Sequence, residues 1–316
     1  MKIVIPGGSG QVGNILSQAL AADGHDVVIL SRISGPTSLR TVQWDAETLG
    51  DWAAEIDGAD VVVNLAGRNV NCRYTDENRR QIMESRVRST RVVGEAIAAA
   101  SRPPKVWLQA STATIYAHRF DAPNDEITGI IGGQEPDTPD TWKFSIDVAQ
   151  AWEKAVNGAV TPHTRKVLMR SAMTMSPDRD GIFDVLLGLV RKGLGGTSGD
   201  GKQYLSWIHD QDFIRSIYWL IEHDELSGPV NLAAPGPLPN REFMRTLREA
   251  WGTKIGLPAT KLMLTIGAIF MRTETELVLK SRRVVPTRLL ESGFTFDFPD
   301  WKSAAEDLCR RWRAAN

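Results

Sequence analysis

Residues 5–13, IPGGSGQVG, decide how the first half of the chain folds. Gly7, Gly8, Gly10 and Gly13 satisfy both the GxGxxG and the GxxGxxG spacing, directly after the apolar run KIVIP and at the head of the helical pattern QVGNILSQALAADG. Strand, glycine turn and helix in that order bring backbone N–H groups and the positive end of a helix dipole to one point, an arrangement that holds a pyrophosphate. The first glycines permit a tight turn and close backbone approach, and Gly13 lets helix and sheet pack closely. Gly7, Gly8, Ser9, Gly10, Gln11, Val12 and Gly13 are the expected cofactor-binding turn.

Outward from the turn, the runs DVVIL, ADVVVNLAG, KVWLQAS and RKVLMR alternate with helical patterns, chiefly DENRRQIMESRVRSTRVVGEAIAAA and DTWKFSIDVAQAWEKA. That alternation predicts an α/β protein whose parallel sheet is wound by crossover helices. After Arg170 it breaks down into SAMTMSPDRDG, the apolar helix IFDVLLGLVRKG and a second glycine cluster. The expected architecture is a Rossmann-type doubly wound sheet over residues 1–170, with a returning segment near 205–232, and a smaller C-terminal α+β substrate-binding domain over 171–316. The irregular stretch from His118 to Thr141, rich in Pro, Gly, Asp and Thr, is a candidate active-site loop.

The 316 residues carry 37 Lys and Arg against 38 Asp and Glu, a net charge of −1, so no global field draws the chain to nucleic acid or a membrane surface. No run approaches the roughly 20 apolar residues of a membrane span. KLMLTIGAIFM, Lys261 to Met271, is too short for one and is expected to pack inside or against a partner. Cys72 and Cys309 fit no metal-binding or disulfide spacing, so no metal is expected. The opening MKIVIPGGSG reads as strand and turn where a signal peptide would need an apolar run, which together with the cysteine usage predicts a cytoplasmic protein.

The end of the second strand selects the cofactor. An NAD-binding chain would place Asp or Glu there to accept bonds from the ribose 2′-hydroxyl. This chain has Ser31 and Arg32. A guanidinium suits a 2′-phosphate, a hydroxyl can add a bond, and NADP(H) is the expected cofactor. Arg40 is a second candidate for that phosphate.

Four further stretches make the likeness to a family specific: VVNLAGRNVNCRYTDENRRQIMESRVRSTRVVGEAI, LSWIHDQDFIRSIYWLIE, and NLAAPGPLPNREFMRTLREAWG with RVVPTRLLESGFTF. The chain resembles an extended short-chain dehydrogenase/reductase of the NAD-dependent epimerase/dehydratase superfamily, in an atypical epimerase-like branch that carries a C-terminal domain of unknown function. The resemblance implies NADP(H) binding, with Asn64, Leu65, Ala66 and Gly67 passing near the adenosine side and Asp45 approaching the adenine. It places Ser111 against the cofactor and Thr112 at the usual catalytic Ser/Thr position. In that superfamily a Tyr and a Lys follow one helical turn apart. Here the matching positions are Phe144 and Val148, which neither donate a proton nor tune a phenol.

Tyr116, His118 and Lys143 are the candidate replacements, Tyr116 first among them. Leu205 occupies the place of an arginine that binds the diphosphate of nucleotide sugars, so the expected substrate is another small molecule. His209 is a substrate-binding or structural residue. Met175, Ser176, Pro177, Trp142 and Trp207 are candidate cleft-wall residues. Charged faces on the two long helices leave monomer and homodimer both open. Two functions stay open as well: a reductase or epimerase-like enzyme, and a non-catalytic NADPH-binding or sensing protein.

Overall fold

The computed structural model describes residues 1–33, 38–136, 138–259 and 276–315. The apolar segment Lys261 to Met271 lies outside the described residues. Seven parallel strands form the main sheet: β1 (Lys2–Pro6), β2 (Asp26–Ser31), β3 (Arg40–Gln43), β4 (Val61–Asn64), β5 (Val106–Thr112), β6 (Arg165–Ser171) and β10 (Gly228–Leu232). Their order is β3-β2-β1-β4-β5-β6-β10. Winding proceeds one way from β1 to β3 and the other way from β4 onward. The reversal falls between β1 and β4, the switch point where open α/β sheets take ligands.

Because side chains alternate across a strand, each strand feeds two cores. Ile3, Ile5, Val27, Ile29, Val61, Val63, Leu108 and Met169 face one side, where α1 (Gln11–Ala22) and α5 (Asp210–Glu222) cover them through Leu16, Leu20, Phe213 and Ile217. Val4, Val28, Val62, Trp107 and Leu168 face the other, under α2 (Asp76–Ala99) and α3 (Asp140–Gly158), through Val92, Val93, Ala96 and Val156. Both faces are covered, which is why the strands read as continuous apolar runs. The edge strand β3, Arg-Thr-Val-Gln, is exposed at both ends and lacks such a run.

Local signals start the helices. Thr75 caps α2 by accepting from the Asn78 N–H at 3.3 Å, and Asp76 and Glu77 favour the positive end of its dipole. A third core joins α4 (Ile182–Arg191), α6 (Asn240–Trp251) and the C-terminal helix α9 (Trp301–Ala315) through Phe183, Leu187, Phe243, Leu247, Trp301 and Leu308. Two short pairs attach to it, β7 (Met173–Met175) with β9 (Trp207–His209), and β8 (Tyr204–Leu205) with β11 (Leu238–Pro239). Short helices α7 (Glu276–Leu279) and α8 (Thr287–Glu291) precede α9. No helix among the described residues is long and apolar enough to cross a membrane.

Several expected cleft residues are structural. Trp207 is fully buried against Trp301, with its indole N–H donated to Gly236 O at 3.2 Å. His209 caps α5, stacks on Phe298 at 3.8 Å, and lies 3.1 Å from Asp307 through Nε2. Burial holds its imidazole below the usual histidine range. Met175 is buried in the third core, and the Ser176 hydroxyl is turned to the Asp178 carboxylate at 2.5 Å.

Candidate functional site

The glycine turn begins with the Gly7 N–H donated to Leu30 O at 2.9 Å and the Gly8 N–H donated to Ile5 O at 3.0 Å. Gly7 has φ +77°, and a Cβ there would lie 2.7 Å from the backbone of Ala66. At Gly13 a Cβ would lie 2.6 Å from Gly8 Cα, so helix α1 can start this close to the turn only without a side chain. Gly10 caps α1 with no side-chain bond, which leaves the first-turn N–H groups facing outward from the end of β1. Val12 packs on the core, while the Gln11 amide reaches the backbone of Gly181 at the start of α4.

Beside the turn, the Ser9 and Ser31 hydroxyls lie 2.9 Å apart, and Ser31 donates to Ile33 O at 2.7 Å. Arg32 is exposed and makes no side-chain hydrogen bond or ion pair among the described residues. Arg40, by contrast, is paired with Glu55 at 2.5 Å. Asp45 turns onto its own loop, accepting from the Glu47 and Thr48 N–H groups at 2.8 and 2.9 Å. The Thr48 hydroxyl, and then those backbone bonds, hold its carboxyl below the ordinary aspartate range.

The segment from Asn64 to Gly67 lies next to the glycine turn. Asn64 is buried, donates to Gln109 at 2.9 Å and accepts from the Ala66 N–H at 3.1 Å. The Leu65 N–H donates to Pro6 O at 2.8 Å. The backbone of Leu65 and Ala66 therefore keeps a side chain out of position 7. Glycine at 67 has its own neighbour, since a Cβ there would lie 3.2 Å from Arg86 Cζ.

Adjacent residues of β5 part company. Thr112 lines a cavity of about 120 Å³ at the carboxyl end of the strand. Ser111 points to the opposite face and donates to Glu153 at 2.7 Å. There Arg170 grips Glu153 with two bonds of 2.8 Å and donates to the Tyr116 hydroxyl at 3.0 Å, which donates to Asn231 at 2.9 Å. Burial raises the Tyr116 phenol, although the Arg170 charge opposes the shift. Tyr116 is thus committed to a buried network, and neither it nor Ser111 lines the cavity with Thr112. His118 accepts from the Ser281 N–H at 2.7 Å between the rings of Phe120 and Trp142, and Lys143 is exposed.

Phe144 and Val148, one turn apart on α3, both line the cavity. The facing wall comes from residues that sequence reasoning passed over: Tyr74 before α2, Arg86 on α2, Ser145, Glu276 and Arg282. Tyr74 meets the Phe144 ring edge to face at 5.1 Å. Burial, then the Glu276 charge, raises its phenol above the ordinary range. Ser145 donates to Glu276 at 2.5 Å, and the Arg282 Nε donates to the Thr114 hydroxyl at 3.1 Å. Behind this wall the fully buried Lys280 donates to Thr114 O at 2.7 Å, and burial with the Arg282 charge lowers its ammonium pKa to about 8. The only sequence signal for these partners is helical spacing: Ile82 and Arg86, four apart, share one face. Nothing local ties that face to residues 276–282.

A parallel sheet with a glycine turn at its switch point, leading to a cavity at the end of β5, is a Rossmann-type dinucleotide fold. Comparison with known proteins narrows the class. The NAD dependent epimerase/dehydratase family matches residues 3–139, and a domain of unknown function (DUF1731) matches residues 260–308. The chain is 30% identical to the bovine (Bos taurus) epimerase family protein SDR39U1, over 98% of its own length and 99% of the relative's. It is 30% identical to the Bacillus subtilis epimerase family protein YfhF, over 98% of each chain. A crystal structure of human SDR39U1 (isoform2) with NADPH superposes with a TM-score of 0.84 at 29% identity, covering 98% of this chain and 99% of that one. The chain belongs to this epimerase family, in the branch that combines the NAD dependent epimerase/dehydratase region with the C-terminal domain of unknown function.

Proposed function

We propose that the chain binds NADP(H) and offers the Thr112 cavity to a small-molecule substrate, as a reductase or epimerase-like protein. The observation that carries the reading is the bare cradle at Gly7 and Gly13, where a Cβ would strike backbone, beside an exposed Arg32 with no partner among the described residues. These residues fit a dinucleotide. The turn from Gly7 to Gly13 would hold the pyrophosphate, Arg32 and Ser31 the 2′-phosphate, and Asn64 to Gly67 the adenosine side. The relative crystallised with NADPH supports the same cofactor here. The sequence division into residues 1–170 with 205–232, and 171–316, is retained in this reading as cofactor and substrate halves.

When bound, NADP(H) supplies hydride chemistry. The Thr112 and Thr114 hydroxyls offer hydrogen bonds inside the cavity, and Phe144 and Val148 exclude water from it. Arg32→Ala is expected to erase most of the preference for NADPH over NADH. Charge-assisted bonds contribute roughly 1.5–3 kcal/mol, or about 10- to 100-fold in affinity. Equal affinities for the two cofactors in the unmutated protein, measured by calorimetry, would overturn the assignment.

The apolar pair Phe144 and Val148 favours a second reading, a protein that binds NADPH without using it. Hydride exchange from 4-deuterated NADPH in the presence of candidate carbonyl metabolites separates the two. Tight binding with no label transfer would leave the sensor.

A further inference from the structure

We propose that the cavity selects a small monocarboxylate, with Arg86 as the residue that recognises the carboxylate. The inference deepens the assignment of the cavity as a substrate site and rests on it. Helix α2 carries five arginines, at 79, 80, 86, 88 and 91. Four of them sit at the surface end of ion pairs: Arg79 with Asp140, Arg80 with Glu77 and Glu84, Arg88 with Glu47, and Arg91 with Glu95. Arg86 is the exception. It faces the cavity and has no ion pair among the described residues.

Its one hydrogen bond among the described residues runs from Nη1 to Ile82 O of its own helix, at 3.1 Å. The guanidinium lies 5.0 Å over the Trp152 ring, against a wall that includes Ile82, Val148 and Phe144. Burial lowers its pKa to about 10, so it remains charged at neutral pH. An uncompensated charge in such a wall is costly, and a bound anion removes the cost. Of the other charged residues that line the cavity among those described, Arg282 and Glu276 face each other at 3.8 Å. Among the described residues Nη2 and Nε meet no acceptor, so the fork can take a carboxylate by two parallel bonds.

Size sets the rest of the ligand. A cavity near 150 Å³ admits benzene; at about 120 Å³ and open on one side, this one takes a short branched chain, or a ring that projects from its mouth. A nucleotide sugar would have to extend out of its mouth. A cofactor phosphate is the other possible source of the anion, because Gly67 lets Arg86 cross the end of β4 close to the glycine turn.

The test uses the full chain in calorimetric titrations with acetate, isobutyrate and benzoate and their amides, with and without NADPH. Isobutyrate or benzoate is expected to bind at least about 10-fold tighter than its amide. Arg86→Gln is expected to weaken the acid roughly 10- to 100-fold while leaving amide and NADPH binding unchanged. Arg86→Lys, which keeps the charge but not the fork, should recover part of the loss, which a merely structural role would not produce. Equal binding of acid and amide overturns the proposal, as does acid binding indifferent to Arg86→Gln. A matching loss of NADPH affinity in that variant would assign the guanidinium to the cofactor instead. Failure of the unmutated chain to bind NADPH would sink the cofactor reading, while the acid titrations without NADPH still decide this one.

Discussion

Glu153→Ala is expected to destabilise the protein by about 3–5 kcal/mol, the usual consequence of leaving one member of a buried ion pair without its partner. Glu153 and Arg170 are 8% and 7% exposed and are joined by two bonds of 2.8 Å. Removing the carboxylate strips the guanidinium of its counter-charge and the Ser111 hydroxyl of its acceptor. The Tyr116 and Asn231 end of the network then holds Arg170 by a single bond to an uncharged phenol, with no counter-charge. In a denaturant titration the midpoint should fall at unchanged slope, and the melting temperature by roughly 10 °C. Replacing Glu153 and Arg170 together by Met should cost much less, because no charge is then left buried. A loss below about 1 kcal/mol for Glu153→Ala would show that the network contributes nothing net.

Gly13→Val should lower NADPH affinity by at least about 100-fold, the loss of two charge-assisted backbone bonds of roughly 1.5 kcal/mol each. The first atom of the new side chain would lie 2.6 Å from Gly8 Cα and 2.7 Å from Gly8 O, neither of which can rotate away. Helix α1 must shift, and the turn opens with it. Gly188→Ala in α4 is the control, because a Cβ there meets nothing within 4 Å. It should gain about 0.5–1 kcal/mol of stability from helix propensity and leave NADPH binding alone. Unimpaired NADPH binding by Gly13→Val, measured by fluorescence titration, would detach the cofactor from the turn.

How much of this was legible follows from the range of the interactions. The strand–turn–helix at residues 2–22 announces itself because its apolar run, glycines and helical period are consecutive. Strands β4, β5 and β6 do so because both their faces are buried. Strand β3 escapes notice, since its middle two residues alone are partly covered. At the site, sequence likeness led to Thr112, Phe144 and Val148, which all line the cavity. The sequence also offered Ser111 as a cofactor contact and Tyr116 as a replacement proton donor. Strand alternation separates Ser111 from Thr112, and Tyr116 turns to a polar network whose partners lie 54 and 115 residues away. Tyr74, Arg86, Glu276 and Arg282 form a wall only when segments some 200 residues apart meet, and no local pattern encodes such a meeting.

That wall imposes an order of events on a ribosome. The glycine turn and strands β1, β2, β4 and β5 are complete once residue 112 has emerged, whereas the cavity needs Glu276 and Arg282. At synthesis rates of about 5–20 residues per second the interval is roughly 10–30 s. A nascent chain can therefore present the nucleotide cradle well before it can enclose anything beside it. Cofactor captured in that window would have nothing to react with until the last elements close over it.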